Sequence, residues 1–212
     1  MPDSDLSTDL EEARQSEAPA AFAPTMWFPD EVKAFVQDRY RKAACILEYG
    51  SGGSTVFAAR ETTARILSIE SDRKWAADLV AYLAAEGIDR AGVEVRVANV
   101  GPTGAWGRPN ETRHWTKFVD YPLLPWQDPG FTPDLVLIDG RFRLACLAAT
   151  MLHCKRPTTV LVDDYGRRRY RQVETLLPVA EHVGHMARFE VTPKAWSNED
   201  FLRMIPWFFT IK

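Results

Sequence analysis

The chain has 212 residues, enough for one large domain, and its 46% hydrophobic and 26% charged composition describes a soluble globule that can bury a sizeable core. A formal charge of -3 offers no strong pull towards duplex nucleic acid or anionic membranes. No apolar run approaches the roughly 18 residues of a membrane helix, so membrane-spanning, collagen-like and wholly disordered classes are excluded.

Residues 1–25 hold six acids, Asp3, Asp5, Asp9, Glu11, Glu12 and Glu17, against one base, Arg14, and close on a Pro/Ala-rich stretch. They read as an acidic, flexible tail, or as a lid folding onto the body, in front of one domain, residues 26–212, which by itself is weakly basic. The start lacks the basic residues and apolar run of a secretory signal, which makes the cytoplasm the expected compartment. Pro29, Asp30 and Glu31 suit a first helical turn, and Val32, Phe35, Val36 and Tyr40 follow on one face. Ala44 to Tyr49 reads as a buried strand entering Gly50-Ser51-Gly52-Gly53, with a helix from Ser54. A second strand, Arg65 to Glu70, leads into a helix near Asp72 whose inner face carries Trp75, Leu79 and Leu83. Val93 to Val97 alternates as a third strand.

Gly101 to Thr132 breaks this rhythm with five prolines and three tryptophans, and no helix or strand is assigned to it. Loops this long in a compact domain are usually functional. Pro133 to Asp139 is a fourth strand, followed by a helix with Leu144, Leu147, Ala148, Met151 and Leu152 at helical spacing. Thr158 to Asp163 is a fifth, and His185 to Val191 and Pro206 to Ile211 close the chain as further strands. Cys45, Cys146 and Cys154 sit among apolar neighbours without disulfide or metal spacing and read as reduced core residues. Apolar strands alternating with helices imply an α/β, Rossmann-like fold, a mostly parallel sheet with helices on both faces.

In such sheets ligands bind beyond the carboxyl ends of the strands, where the strand order reverses. The first loop, Glu48-Tyr49-Gly50-Ser51-Gly52-Gly53-Ser54-Thr55, allows close backbone approach, and the N–H groups at its helix start favour an anion. A dinucleotide fingerprint would place a third glycine at Thr55, and here an acid also precedes the first glycine by two residues. Glu-x-Gly-x-Gly-x-Ser instead resembles the first motif of class I S-adenosylmethionine (SAM) dependent methyltransferases. Glu70 ends the second strand, where a carboxylate can accept both ribose hydroxyl protons, and Asn99 follows the third. The resemblance implies a seven-stranded sheet with one antiparallel strand, Pro206 to Ile211. It further implies SAM bound by Glu48, Gly50, Ser51, Gly52 and Gly53, with Glu70 on the ribose and Asn99 facing adenine.

The fourth strand ends in Asp139-Gly140 and the fifth in Asp163-Asp164-Tyr165. Ile-Asp-Gly followed by Val-Asp-Asp-Tyr resembles metal-dependent O-methyltransferases of the macrocin and catechol type. That resemblance implies Asp139, Asp163 and Asp164 as ligands of Mg2+, which lowers the pKa of an acceptor hydroxyl. Arg141 and Arg143 depart from the pattern, because guanidinium forks beside Asp139 can pair with it and displace a cation. With Arg167, Arg168, Arg169 and Arg171 they form either a solvated face or a pocket for an anionic acceptor.

Asp139 and His114 are therefore the candidate catalytic groups, His114 as general base. Arg141, Arg143, Tyr165 and Trp106 are the candidate acceptor contacts, with His114, Trp115, Phe118, Tyr121 and Trp126 as further candidate walls. The expected reaction is O-methylation of a small-molecule or sugar-like acceptor. The expected partners exclude membranes and do not favour nucleic acid, and homo-oligomerisation stays open. Two alternatives stand beside it: a catalytically inactive SAM-binding protein and an NAD-dependent oxidoreductase.

Overall fold

The computed structural model describes residues 22–88, 91–166 and 168–211. The tail up to residue 21, Arg167 and the side chains of Arg168 and Arg169 lie outside the described residues. Helix α1 (Asp30–Lys42) begins after Pro29 with Asp30 and Glu31 in its first turn, ends with Arg39, Arg41 and Lys42, and buries Val32, Val36 and Tyr40. Charges of that order complement the helix dipole at both ends.

A seven-stranded sheet follows in the order β3-β2-β1-β4-β5-β7-β6. Its strands are β1 (Cys45–Tyr49), β2 (Arg65–Glu70), β3 (Val93–Val97), β4 (Leu135–Ile138), β5 (Thr158–Val162), β6 (Glu181–Val183) and β7 (Met186–Val191). The first five pair in parallel, while β7 runs antiparallel to both β5 and β6. The order reverses between β1 and β4, so their carboxyl ends open the crevice where ligands of such folds bind.

Alternate residues of the central strands β1, β2, β4 and β5 feed two cores. Leu47, Tyr49, Leu67, Ile69, Val136, Ile138, Val160 and Val162 pack on one face with helix α5 (Arg143–His153). Ile46, Ile66, Leu135, Leu137 and Leu161 pack on the other with α1, α2 (Gly53–Glu61) and α3 (Arg73–Ala85). This double burial is why the strands read as apolar runs. Asp72 caps α3, its carboxylate accepting from the Lys74 and Trp75 amides. Cys146 and Cys154 are buried, Cys45 is half-buried, and all three are free. Among the described residues no helix is long and apolar enough to cross a membrane.

Three expectations need correction. The antiparallel strand is β7, preceded by the short β6, and Pro206 to Ile211 is not a strand. Ser197 instead caps a helix, α6 (Asn198–Met204), that passes into a 3-10 turn, Ile205–Phe209, with Pro206 in its first positions, where the missing N–H costs nothing. The loop from 101 to 132 is built of 3-10 turns, Ala105–Gly107, Thr112–Lys117 and Leu124–Gln127, and one short helical turn, α4 (Asp120–Leu123). Residues 22–25, placed in the tail, also reach the body: the Phe22 ring meets Trp75 edge-on at 4.9 Å, and Thr25 lines the cavity described below.

Candidate active site

A cavity of about 500 Å3 lies at the switch point. Its walls come from the carboxyl ends of four strands: Gly50 to Ser54 after β1, Glu70 at the end of β2, Asp139 and Gly140 after β4, and Asp163 and Asp164 after β5. Gly50 has φ +102°, and its amide donates to Ile69 O at 2.9 Å. The turn thus leaves β1 sharply while staying tied to β2. Residues 25–28 cross the glycine loop and line the cavity, and a Cβ on Gly53 would overlap the Met26 amide nitrogen.

Glu70 is held for hydrogen bonding. Its Oε2 accepts from the Ser51 amide (3.2 Å) and hydroxyl (3.1 Å), and its Oε1 accepts from the amides of Ser71 (2.6 Å) and Asp72 (2.9 Å). The Ser71 hydroxyl in turn donates to Gly107 O, which draws the 105–107 turn over this end of the cavity. Trp75, expected in the core, is 37% exposed; its indole donates to Ser51 O at 2.8 Å and walls the glycine loop.

Glu48 does not reach the cavity. It shares its strand face with Ile46, towards α1 and α2, and is fully buried. Its carboxylate accepts from Tyr40 Oη (2.7 Å) and Thr55 Oγ (2.6 Å), and Thr55 Oγ accepts from the Gly52 amide, so Glu48 braces the loop from beneath. Burial raises its pKa above the ordinary carboxylate value. A raised folded-state pKa contributes stability at pH below the unfolded value and loses it as pH climbs through the folded value. Glu48→Gln has no such titration, so its melting temperature relative to wild type should rise steadily from about pH 4 upwards. Thermal unfolding of both proteins across pH 4–8 checks this, and parallel curves would contradict it.

Arg143, the first residue of α5, is 8% exposed at its side chain and stands among the three aspartates. It lies 3.1 Å from Asp139 Oδ1, 3.3 Å from Asp163 Oδ2 and 3.5 Å from Asp164 Oδ2. It also donates to the main-chain oxygens of Asp139, Gly140 and Asp163. A guanidinium thus fills the space that Asp139, Asp163 and Asp164 share, so these three together do not form the open cation site that the sequence resemblance implies. Burial opposes its charge, yet Asp139 and Asp163 outweigh that and hold the Arg143 pKa above its ordinary value. Arg143 is accordingly a partner of the aspartates, and it also lines the cavity. Asp139 keeps 37% of its side chain open to the cavity. Enclosure by protein, and then the Asp163 charge, push its carboxyl well above the usual range against the pull of Arg143.

His185, not singled out in the sequence, reaches this cluster from the turn between β6 and β7, with Nε2 2.7 Å from Asp163 Oδ1. Asp163, Asp164 and His185 each bring one ligand-type atom within 4.8 Å of the others. The pairing of Val162 with Ala187 is what carries His185 there.

The remaining expectations divide. Arg141 and Trp106 line the cavity, as does Tyr121. Tyr165 does not; it is buried in the core, and its hydroxyl donates to Glu174 at 3.1 Å. His114 packs on Gly101 in an adjoining recess, beside Asn99 and away from Asp139, so the two candidate catalytic groups are not brought together. That recess shares Ser71 and Asp72 with the main cavity, and Asn99 is exposed in it. Phe118 is buried in the core, Trp126 packs against it, and Trp115 is exposed.

Sheet order, switch-point cavity and the Gly50–Glu70 arrangement are those of the class I methyltransferase fold. Comparison with protein-family models and with curated proteins gives no match. Among solved structures, a methyltransferase-like protein from Silicibacter pomeroyi DSS-3 is 40% identical, covering 89% of this chain and 98% of its own, with a TM-score of 0.82. The chain therefore belongs to this family of methyltransferase-like proteins. Its fold is also that of the cofactor-bound Rv0187 from MTB (19% identity, 89% and 96% coverage, TM-score 0.55). An O-methyltransferase from Bacillus cereus in complex with SAH shares it too (16% identity, 88% of both chains, TM-score 0.54).

Proposed function

We propose that the protein is a SAM-dependent methyltransferase that methylates an oxygen of a small acceptor. The observation that carries this reading is the meeting of the glycine loop and Glu70 in one cavity, with Ser51 bonded to the Glu70 carboxylate. Gly50 to Gly53 would lie against the amino-acid part of SAM, and Glu70 would exchange its serine hydroxyl contacts for the ribose diol. Asn99 would stand beyond it on the adenine side. When bound, SAM supplies a methyl group activated by its sulfonium.

The chain's own residues position the acceptor and take its proton. Asp139 faces the cavity, and a carboxylate with a raised pKa is a stronger base nearer neutrality, so it would receive the hydroxyl proton as the oxygen attacks. Enclosure between the 25–28 stretch, Trp106 and Tyr121 excludes water and orients the pair, which is the main contribution expected for an in-line displacement. The Bacillus cereus relative, an O-methyltransferase with SAH bound, supports oxygen as the acceptor atom.

Calorimetric titration with S-adenosylhomocysteine (SAH) and with NAD tests this reading. Binding of SAH is expected, and Glu70→Gln should weaken it by about 10- to 100-fold, the worth of a charge-assisted hydrogen bond. Binding of NAD without SAH would overturn the reading. The Arg143 fork, which occupies the three aspartates, favours a second reading, a cofactor-binding protein without turnover. SAH binding with no methyl transfer to any acceptor in a SAM-consumption screen would favour it.

A further inference from the structure

A further recess, of about 270 Å3, shares Trp106, Gly140, Arg141, Arg143 and Asp164 with the glycine-loop cavity and adds Arg108, Phe142 and Tyr170. Its cations are unequally used. Arg143 is committed to the three aspartates. Among the described residues the guanidinium groups of Arg141 and Arg108 have neither a hydrogen-bond nor an ion-pair partner, and Arg141 Nε is buried without an acceptor. A buried donor left unpaired is costly and rare in folded proteins, so an acceptor that none of the described residues supplies is called for. Guanidinium forks match the oxygens of carboxylate and phosphate.

The backbone carries an independent observation. Trp106 (φ 62°), Phe142 (φ 52°) and Asp164 (φ 55°) are the non-glycine residues with positive φ among those described, and all three stand on the wall of this recess. Bulky side chains rarely adopt that conformation, and such strain gathers at ligand clamps. The Trp106 indole, 80% exposed, belongs to both cavities and offers a flat apolar wall between them.

We infer that this recess is the acceptor site and takes a small molecule bearing an oxyanion, carboxylate or phosphate, on Arg141 and Arg108. The inference rests on the methyl-transfer reading above for the identity of the acceptor, while the anion site itself does not depend on it. The volume lies just below the range usual for ligand pockets and suits a small anionic group.

The test is calorimetry on the full chain with inorganic phosphate and, separately, with benzoate, each with and without saturating SAH. Saturable binding of at least one anion is expected, weakened tenfold or more in both Arg141→Ala and Arg108→Ala, with SAH affinity in Arg108→Ala unchanged. Phosphate alone binding identifies a phosphate-bearing acceptor, and benzoate alone a carboxylate. Failure of both anions to bind, or equal binding in the two variants, would overturn the anion site even where SAH binds. Failure of SAH to bind would instead sink the methyl-transfer reading, with anion binding read separately.

Discussion

Arg143→Met should lower the unfolding free energy by about 3–5 kcal/mol, the usual cost of removing one partner from a buried ionic cluster. The side chain it removes is 8% exposed and touches three carboxylates, as well as the main-chain oxygens at the ends of β4 and β5. Methionine fills much of the volume, so the loss reports charge and hydrogen bonds rather than a void. The deficit should depend on pH with a definite sign. Without the guanidinium, whose charge lowers the Asp139 pKa, Asp139 ionises still less readily in the folded state, and stability is lost as pH climbs through its raised folded value. Urea unfolding at pH 5 and pH 8 reads both effects: the gap between variant and wild type should widen at pH 8. Arg143→Lys should recover only part of the loss, because one ammonium cannot address three carboxylates and three carbonyls. A variant as stable as wild type at pH 8 would mean that the aspartates do not depend on Arg143.

The charge cluster also marks where a linear sequence stops being informative. Strands β2 and β3 were legible to the residue because β2 is a mostly apolar run and β3 a strict alternation, each bounded by polar or glycine-containing turns, and the acid ending β2 follows from strand direction alone. Strand alternation places Glu48 on the side of Ile46, but that Tyr40 and Thr55 wait there depends on how α1 and α2 dock. A partner for the aspartates was also legible, since Arg141 and Arg143 both follow Asp139 closely. Which one turns inward was not: Phe142 takes a left-handed backbone conformation, α5 starts at Arg143, and Arg141 is left facing the cavity. Pro206 to Ile211 has the aromatic content of a strand, yet the antiparallel place it was expected to fill is taken by β7, and the hairpin of β6 and β7 delivers His185. These outcomes are decided by packing between distant segments, which period and propensity do not encode.

Gly50→Ala should abolish SAH binding, with affinity falling 100-fold or more, while costing the fold about 1–3 kcal/mol of backbone strain. At φ +102° an L side chain is strained whatever the space around it, and the space here is closed. A Cβ would lie 2.8 Å from the Gly140 amide nitrogen and 2.9 Å from Gly140 Cα, both backbone atoms that cannot rotate away. Gly140 is itself pinned, because its amide donates to Tyr49 O at 2.6 Å and Tyr121 Oη closes its other side. The turn after β1 and the turn after β4 therefore touch at two glycines, and these turns hold the proposed SAM loop on one side and Asp139 with Arg141 on the other. Relief of the clash must separate the turns, and a loop displaced even slightly loses the Ser51–Glu70 contacts and the geometry that positions donor and acceptor together. Equilibrium unfolding and SAH calorimetry on the same variant distinguish this from simple destabilisation. A folded Gly50→Ala protein that still binds SAH with wild-type affinity would show that the two turns can part without cost to the site.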